Sequence, residues 1–307
     1  MNNHLAYVLS YPYIQTRRLA MSMRTILLLA ISICLATSCS NTEGNTEAST
    51  DDITTEPTNK VVLSTEIKWQ KLNPARGDKS PQAGTIWGDR NGSQATGFLA
   101  KFIDGFSSPP HIHNVTYRAI VLKGLVHNDD PDAEEMWMPA GSFWTQPAGE
   151  PHITAAKGIE NIAYVEIDQG PYLVKPVTEN FDNGERPVNV DKNNIVWLDA
   201  TQTNIIQAKA NVKGPEIAFL WESNNRTGKL LKLPAGFEGT ILSEGEVFHA
   251  VVIQGESEYI LPISEEVKLL DPGSYFTAQG RAIHSIRVSK ASETIIYIRT
   301  NGKIHLK

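Results

Sequence analysis

Two histidines one residue apart, His111 and His113, stand at the head of the run Val115-Thr116-Tyr117-Arg118-Ala119-Ile120-Val121-Leu122-Lys123. β-Branched and aromatic residues favour extended backbone, and side chains on a strand alternate between its two faces. His111, His113, Val115, Tyr117, Ala119 and Val121 therefore share one face, an apolar wall with two imidazoles at its mouth. Polar groups buried there need a partner, and one metal ion could serve both. The segment from Gly141 to His152, turned by Pro147, Gly149 and Pro151, supplies a third histidine.

These residues resemble the two motifs of the cupin superfamily. Gly105, His111, His113 and Gly124 match the first at the family's spacing, and Gly141, Pro147, Gly149 and His152 match the second. The one departure is Tyr117, which stands where the first motif has glutamate. The resemblance implies an all-β fold and a metal held by His111, His113 and His152. The runs Trp69 to Asp78 and Pro109 to Arg118 are similar to a bacterial two-cupin family designated a domain of unknown function. That kinship implies fold and metal binding and supplies no reaction.

The chain beyond the motifs agrees with such a fold. Short runs of strand composition, bounded by Gly, Pro, Asn or Asp, cover Phe98 to Ile103, Thr116 to Lys123, Ile162 to Ile167, Glu216 to Trp221 and Lys229 to Leu233. Others cover Val247 to Ile253, Glu258 to Leu261, Glu266 to Leu270 and Thr294 to Arg299. Nothing keeps a sustained helical period. Many short strands without helices predict a sandwich or barrel.

The chain also repeats itself. Gly236-Phe237 to Gly255 spans the same interval as Gly105-Phe106 to Gly124, and Gly273 lies as far from His284 as Gly141 does from His152. Two tandem cupin jelly-roll barrels are expected, the first over 62–172 and the second over 193–307, joined by a linker over 173–192. In the second unit this alignment sets Leu242, Glu244 and Phe248 at the places of His111, His113 and Tyr117, and keeps His284. His249 lies nearby. These residues are expected to be remnants of the fold, leaving one metal per chain.

The first 61 residues have a different character. Residues 24–39 give a positive flank, a short apolar stretch and then small residues before Cys39. The apolar part falls short of the ~20 residues that span a bilayer, so it reads as an export signal. Leu35-Ala36-Thr37-Ser38-Cys39 resembles a bacterial lipobox, which implies a lipid on Cys39 and a place on the periplasmic side of a membrane, the outer membrane by expectation. Residues 40–61 are polar and acidic, the composition of a disordered tether. Removing residues 1–38 takes away Arg17, Arg18 and Arg24 and no acid, so the net charge moves from −6 to −6 − 3 = −9. A basic face for nucleic acid is not expected. Both cysteines, Cys34 and Cys39, fall in the signal, which leaves no thiol chemistry to the folded part.

Three neutral imidazoles suit one divalent transition metal, iron or zinc before others, with positions left for water or substrate. The ligand set resembles that of the three-histidine cupins, among them acetylacetone-cleaving and thiol dioxygenases. That likeness implies a dioxygenase-type enzyme with Tyr117 beside the substrate as a hydrogen-bonding or proton-donating group. Two other classes fit the same residues: a non-catalytic metal or small-molecule binding protein, and a sensor or structural bicupin. Open coordination positions and an apolar pocket favour the enzyme and a small organic partner. A homodimer through edge strands is a further expectation. His127, Glu134, Glu135 and Asp129 to Asp132 read as loop residues, and Trp87, Trp137 and Trp144 as core or pocket wall.

Overall fold

The computed structural model describes residues 56–207 and 214–307. The signal, the lipobox and most of the tether expected over 40–61 lie outside the described residues. Within them the chain is all-β, with two jelly-roll barrels in tandem. The first is built on a sheet ordered Val188–Val190, Phe143–Gln146, Tyr117–Asp129, Ile153–Ile167, Thr96–Phe102, Gln82–Trp87 and Trp69–Lys71. The second has a sheet ordered Lys60–Val62, Tyr275–Ala278, Phe248–Gln254, Thr294–Thr300, Arg226–Leu233 and Glu216–Ser223. Facing it is a sheet ordered Val267–Leu270, Ser257–Ile260, Ala282–Val288, Glu238–Ser243 and Ile304–Leu306. Every strand expected from the sequence forms, with its ends displaced.

The parity of the Tyr117–Asp129 strand is as expected. Val115, Tyr117, Ala119 and Val121 lie in the core of the first barrel with Phe98, Ala100, Trp144 and Ala163. Ile120 and Leu122, the alternate residues, face away from it into a second apolar cluster, where they meet Val251, Ile253, Tyr275 and Ile295 of the second barrel. With both faces covered, Thr294–Thr300 is buried at every residue, which is why its centre, Ile295-Ile296-Tyr297-Ile298, shows no polar alternation. Each side chain so buried contributes ~1.5–3 kcal/mol relative to exposure, which makes the junction between barrels a core in its own right. Gly124 turns the corner at φ +75°, where a Cβ would strike Asn161 Oδ1, and Gly255 makes the equivalent corner at φ +77°.

The expected boundaries need correction. Lys60–Val62, at the join of the expected tether and first barrel, pairs with Tyr275–Ala278 of the second barrel, with Val62 opposite Tyr275. In the expected linker, Val174–Lys175 pairs with Ile112–His113 and Val188–Val190 with Phe143–Gln146, both in the first barrel. The exchange is reciprocal. After Val62 the chain returns through Ile67 and Trp69 to the first barrel, and after Val190 it passes to the second, where Leu198 bridges Ile217. These strands are two or three residues long, too short for alternation to announce them. Their common pattern, Val62…Ile67-Lys68-Trp69 against Val190…Ile195-Val196-Trp197, carries the signal at the level of the repeat.

Candidate metal centre

Backbone register brings the three histidines together. His111 and His152 form a closed antiparallel pair, each N–H donating to the other's carbonyl at 3.0 Å. Directly paired residues project side chains on the same face, and His113 follows two residues later on that face. Gly149, at φ +79°, donates its N–H to the His113 carbonyl at 2.8 Å and so seats the turn that carries His152. The ring centroids lie 4.3 Å apart for His111 and His152, 5.0 Å for His111 and His113, and 5.2 Å for His113 and His152. One nitrogen from each ring lies within 4.8 Å of the other two.

The tautomers follow from the outer nitrogens. His111 Nδ1 sits 2.9 Å from the Pro109 carbonyl, His113 Nδ1 3.1 Å from that of Leu173, and His152 Nδ1 3.1 Å from that of Glu150. A carbonyl only accepts, so each Nδ1 carries the proton and each Nε2 keeps its lone pair. Burial drives all three imidazoles below their ordinary pKa, His152 to about 3, because the cation would lose its water. All three are neutral at physiological pH. His152 is 0% exposed, and its Nε2 has no hydrogen-bond partner. An unpaired buried acceptor costs ~1–3 kcal/mol, which a Lewis acid at that point would remove. The donor set fits a divalent transition metal.

Tyr172, which sequence reading passed over, is the hydroxyl at the cluster. Its ring stacks on His113 at 4.2 Å, and its OH donates to His113 Nε2 at 3.0 Å. Asn114 sets that geometry, donating to the Pro171 carbonyl at 3.0 Å and accepting the Leu173 N–H at 2.8 Å. The strand pair Val174–Lys175 with Ile112–His113 fixes it further, and that short pairing was the missing signal.

Tyr117 has a different employment. Its ring lies 5.3 Å from His113 and lines the cavity, but its OH donates to Asn128 Oδ1 at 2.8 Å. Asn128 also accepts from Thr154 at 2.8 Å and donates to Gln146 at 2.9 Å, so the hydroxyl is one end of a buried polar chain. Burial pushes its pKa up, which leaves the phenol neutral.

The histidines open on a cavity of about 560 Å³. Its wall holds Phe98, Ala100, Phe102, Trp144, Ala163 and Val165, and no carboxylate. Small residues make the room. Ala83, Ala100 and Ala163 stand in register across three strands of the first barrel, and Ile217, Leu231 and Ile296 hold the same register in the second. There the larger side chains pack into the core.

The second unit corrects the expected alignment by one residue. His284 pairs with Ile241, as His152 does with His111, so Ile241 and Ser243 occupy the two histidine places and Leu242 and Glu244 do not. Glu244 is exposed. His284 accepts or donates at both nitrogens, to Tyr259 OH at 2.8 Å and Ser243 Oγ at 3.3 Å. His249 stacks on Trp87 at 4.1 Å between the barrels. His127 is also displaced from expectation: it is 2% exposed, on a strand, with Nδ1 3.3 Å from the Met136 carbonyl. Glu134 and Glu135 are exposed and do not line the cavity. Among the described residues, His111, His113 and His152 form the one group of three spaced to hold a metal.

Residues 60–307 match the family described as domain of unknown function DUF4437. The chain belongs to that family. No curated protein matches it in sequence. Among solved structures it is similar to a candidate dioxygenase from Nostoc punctiforme, with TM-score 0.59 and 11% identity over 81% of this chain and 82% of that one. It is also similar to the oxalate decarboxylase of Lactobacillus farciminis in complex with formate, with TM-score 0.56 and 10% identity over 83% and 89%. A candidate glyoxylate-induced protein from Pseudomonas aeruginosa gives TM-score 0.54 and 9% identity over 79% and 88%. At these identities the likeness establishes the cupin fold.

Proposed function

We propose that this member of DUF4437 binds one divalent transition metal, iron or zinc, through Nε2 of His111, His113 and His152, and that it converts a small organic substrate in the cavity beside them. One observation carries the reading: three neutral imidazoles present their lone pairs inward while every Nδ1–H is held by a backbone carbonyl. Iron would supply oxygen chemistry of the dioxygenase kind, as the name of the Nostoc punctiforme relative suggests for that protein, and zinc would supply Lewis acidity.

The chain's own residues orient and exclude. The three carbonyl contacts fix the ring planes, Phe98, Trp144 and Val165 keep water from the substrate's apolar body, and Tyr172 OH, which holds a proton at His113 Nε2 until the metal takes that lone pair, stays stacked beside the site. Tyr117 shapes the wall, with its proton directed to Asn128. In this reading Cys39 carries a lipid that keeps the protein on the periplasmic side of a bacterial membrane, a proposal that rests on the lipobox pattern alone.

Metal analysis of protein produced without residues 1–38 tests the ligand set. One equivalent of iron or zinc per chain is expected, with loss of the metal and retention of the folded far-ultraviolet spectrum in His113→Ala. Full occupancy in that variant would overturn the ligand assignment. Oxygen uptake by the iron-loaded form against β-diketones, thiols and hydroxy acids separates an enzyme from a binding protein.

A further inference from the structure

The run Leu72-Asn73-Pro74-Ala75-Arg76-Gly77-Asp78 forms the rim of the cavity. Leu72, Asn73 and Arg76 line it on the exposed side, and His113, Tyr117 and Trp144 line it on the buried side. The rim is braced. The Leu72 N–H donates to the Pro81 carbonyl at 2.8 Å, and the Asn73 N–H donates to Oγ of buried Ser80 at 2.9 Å. Gly77, at φ +57°, makes the turn between those two clasps, a backbone conformation that other side chains rarely adopt.

Arg76 is therefore presented on a fixed loop, its guanidinium 5.2 Å from the centre of the Phe106 ring. Phe106 also lines the cavity. The neighbouring carboxylate of Asp78 is held by Lys71 at 3.0 Å. Arg76 is the one residue of the lining whose charge is permanent, and no acid lines the cavity to balance it. Tyr117 stands where a carboxylate would have offset a metal's charge. The wall between the rim and the histidines is mostly apolar, and its polar members, Ser108 and Thr154 among them, carry no charge.

From this arrangement we infer that the substrate is an organic acid with an apolar body, whose carboxylate pairs with Arg76 at the rim and whose body extends along Phe98 and Trp144 toward the histidines. The inference deepens the metal-dependent reading, on which it rests for what happens at the far end of the molecule. The guanidinium fork matches a carboxylate in two parallel hydrogen bonds, which a neutral amide or alcohol cannot copy.

A matched pair of probes tests it: 3-phenylpropionate and its neutral isostere 3-phenylpropanamide, titrated calorimetrically into metal-loaded and metal-free protein. The acid is expected to bind at least about tenfold more tightly than the amide in the loaded form. Arg76→Gln should remove that preference and leave the amide's affinity unchanged. Arg76→Lys should keep part of it. A preference that persists in metal-free protein and vanishes in Arg76→Gln supports the assignment even if the metal reading fails. A preference that survives Arg76→Gln and disappears with the metal overturns it, because the metal then holds the anion, and leaves the metal reading intact. Equal affinities for acid and amide, or binding of neither, also overturn it.

Discussion

Glu166 and Arg299 meet at 3.2 Å between the two barrels, each 1% exposed, at equivalent places on equivalent strands. Around them Tyr164 and Tyr297 donate to the two Glu166 oxygens at 2.9 and 2.6 Å, and Asp168 accepts from Arg299 and, at 3.1 Å, from Arg118. Trp87 and Trp221 donate in turn to Tyr164 and Tyr297, at 3.0 and 2.9 Å. One barrel brings the anion and the other the cation to a position where the repeat would otherwise set like against like.

A buried pair of this kind is costly to break from one side. Arg299→Leu alone should lower the unfolding free energy by ~3–5 kcal/mol, because it leaves Glu166 buried without a counter-charge, and Glu166→Leu should cost less, because Arg299 keeps its pairing with Asp168. The double variant should lose less than the sum of the two. Urea denaturation of all four proteins measures the coupling, and a loss below about 1 kcal/mol in Arg299→Leu would show that the pair is solvated rather than buried.

The Tyr172 hydroxyl donates into the lone pair of His113 that a metal requires. Binding the metal must first break that hydrogen bond, worth ~0.5–1.5 kcal/mol net. Tyr172→Phe is therefore expected to tighten metal binding by a few-fold to about tenfold. Competition against a chelator reads the shift, and weaker binding in the variant would make Tyr172 a supporter of the metal instead.

The cavity owes its volume to Ala100 and Ala163. Giving the first barrel the second barrel's residues, Ala100→Leu with Ala163→Ile, should fill it. Stability should change by no more than ~1–2 kcal/mol, since filled space and new strain oppose each other. Metal content should stay at one equivalent, while binding of 3-phenylpropionate should fall at least about tenfold. Loss of the metal together with the probe would show that the alanines support the histidines and not the cavity alone.

Burial holds His284 at a pKa of about 3, against an ordinary 6.5. As the pH drops below 6.5 the unfolded chain takes up a proton that the folded one refuses, so stability is full above that pH and declines toward pH 3. One such group gives a slope approaching ~1.4 kcal/mol per pH unit. Urea midpoints from pH 7.5 to 4.5, compared between the native protein and His284→Gln in chelator, should show the shallower slope in the variant. Equal slopes would mean that His284 is free to protonate when folded.

Much of this was readable beforehand because the signals were periodic or evenly spaced. Parity along Val115 to Val121 placed Tyr117 and two imidazoles on one wall, and the interval from Gly141 to His152 placed the third. The remainder depended on pairings with no local pattern. Tyr172 reaches His113 through a strand of two residues, and Lys60–Val62 reaches the far barrel through three. In the second unit one residue fewer lies between the shared glycine, Gly236, and the histidine-equivalent strand, and one more between that strand and Phe248, so counting from the glycine mistook Leu242 and Glu244 for Ile241 and Ser243. Only hydrogen-bond register reveals such a slip, because it moves every side chain to the opposite face. The meaning of Arg76 was hidden for another reason: a charged residue in a Pro- and Gly-rich loop looks the same whether it faces solvent or a cavity.

The traded strands also bear on whether either half could stand alone. A polypeptide ending near residue 172 would leave Phe143–Gln146 with a bare edge, and one starting near 193 would do the same to Tyr275–Ala278. Neither half can be cut free alone without exposing a sticky border. Each copy thus borrows one border strand from the segment that leads into the other, and the copy whose histidine places hold Ile241 and Ser243 is bound to its sibling by that loan.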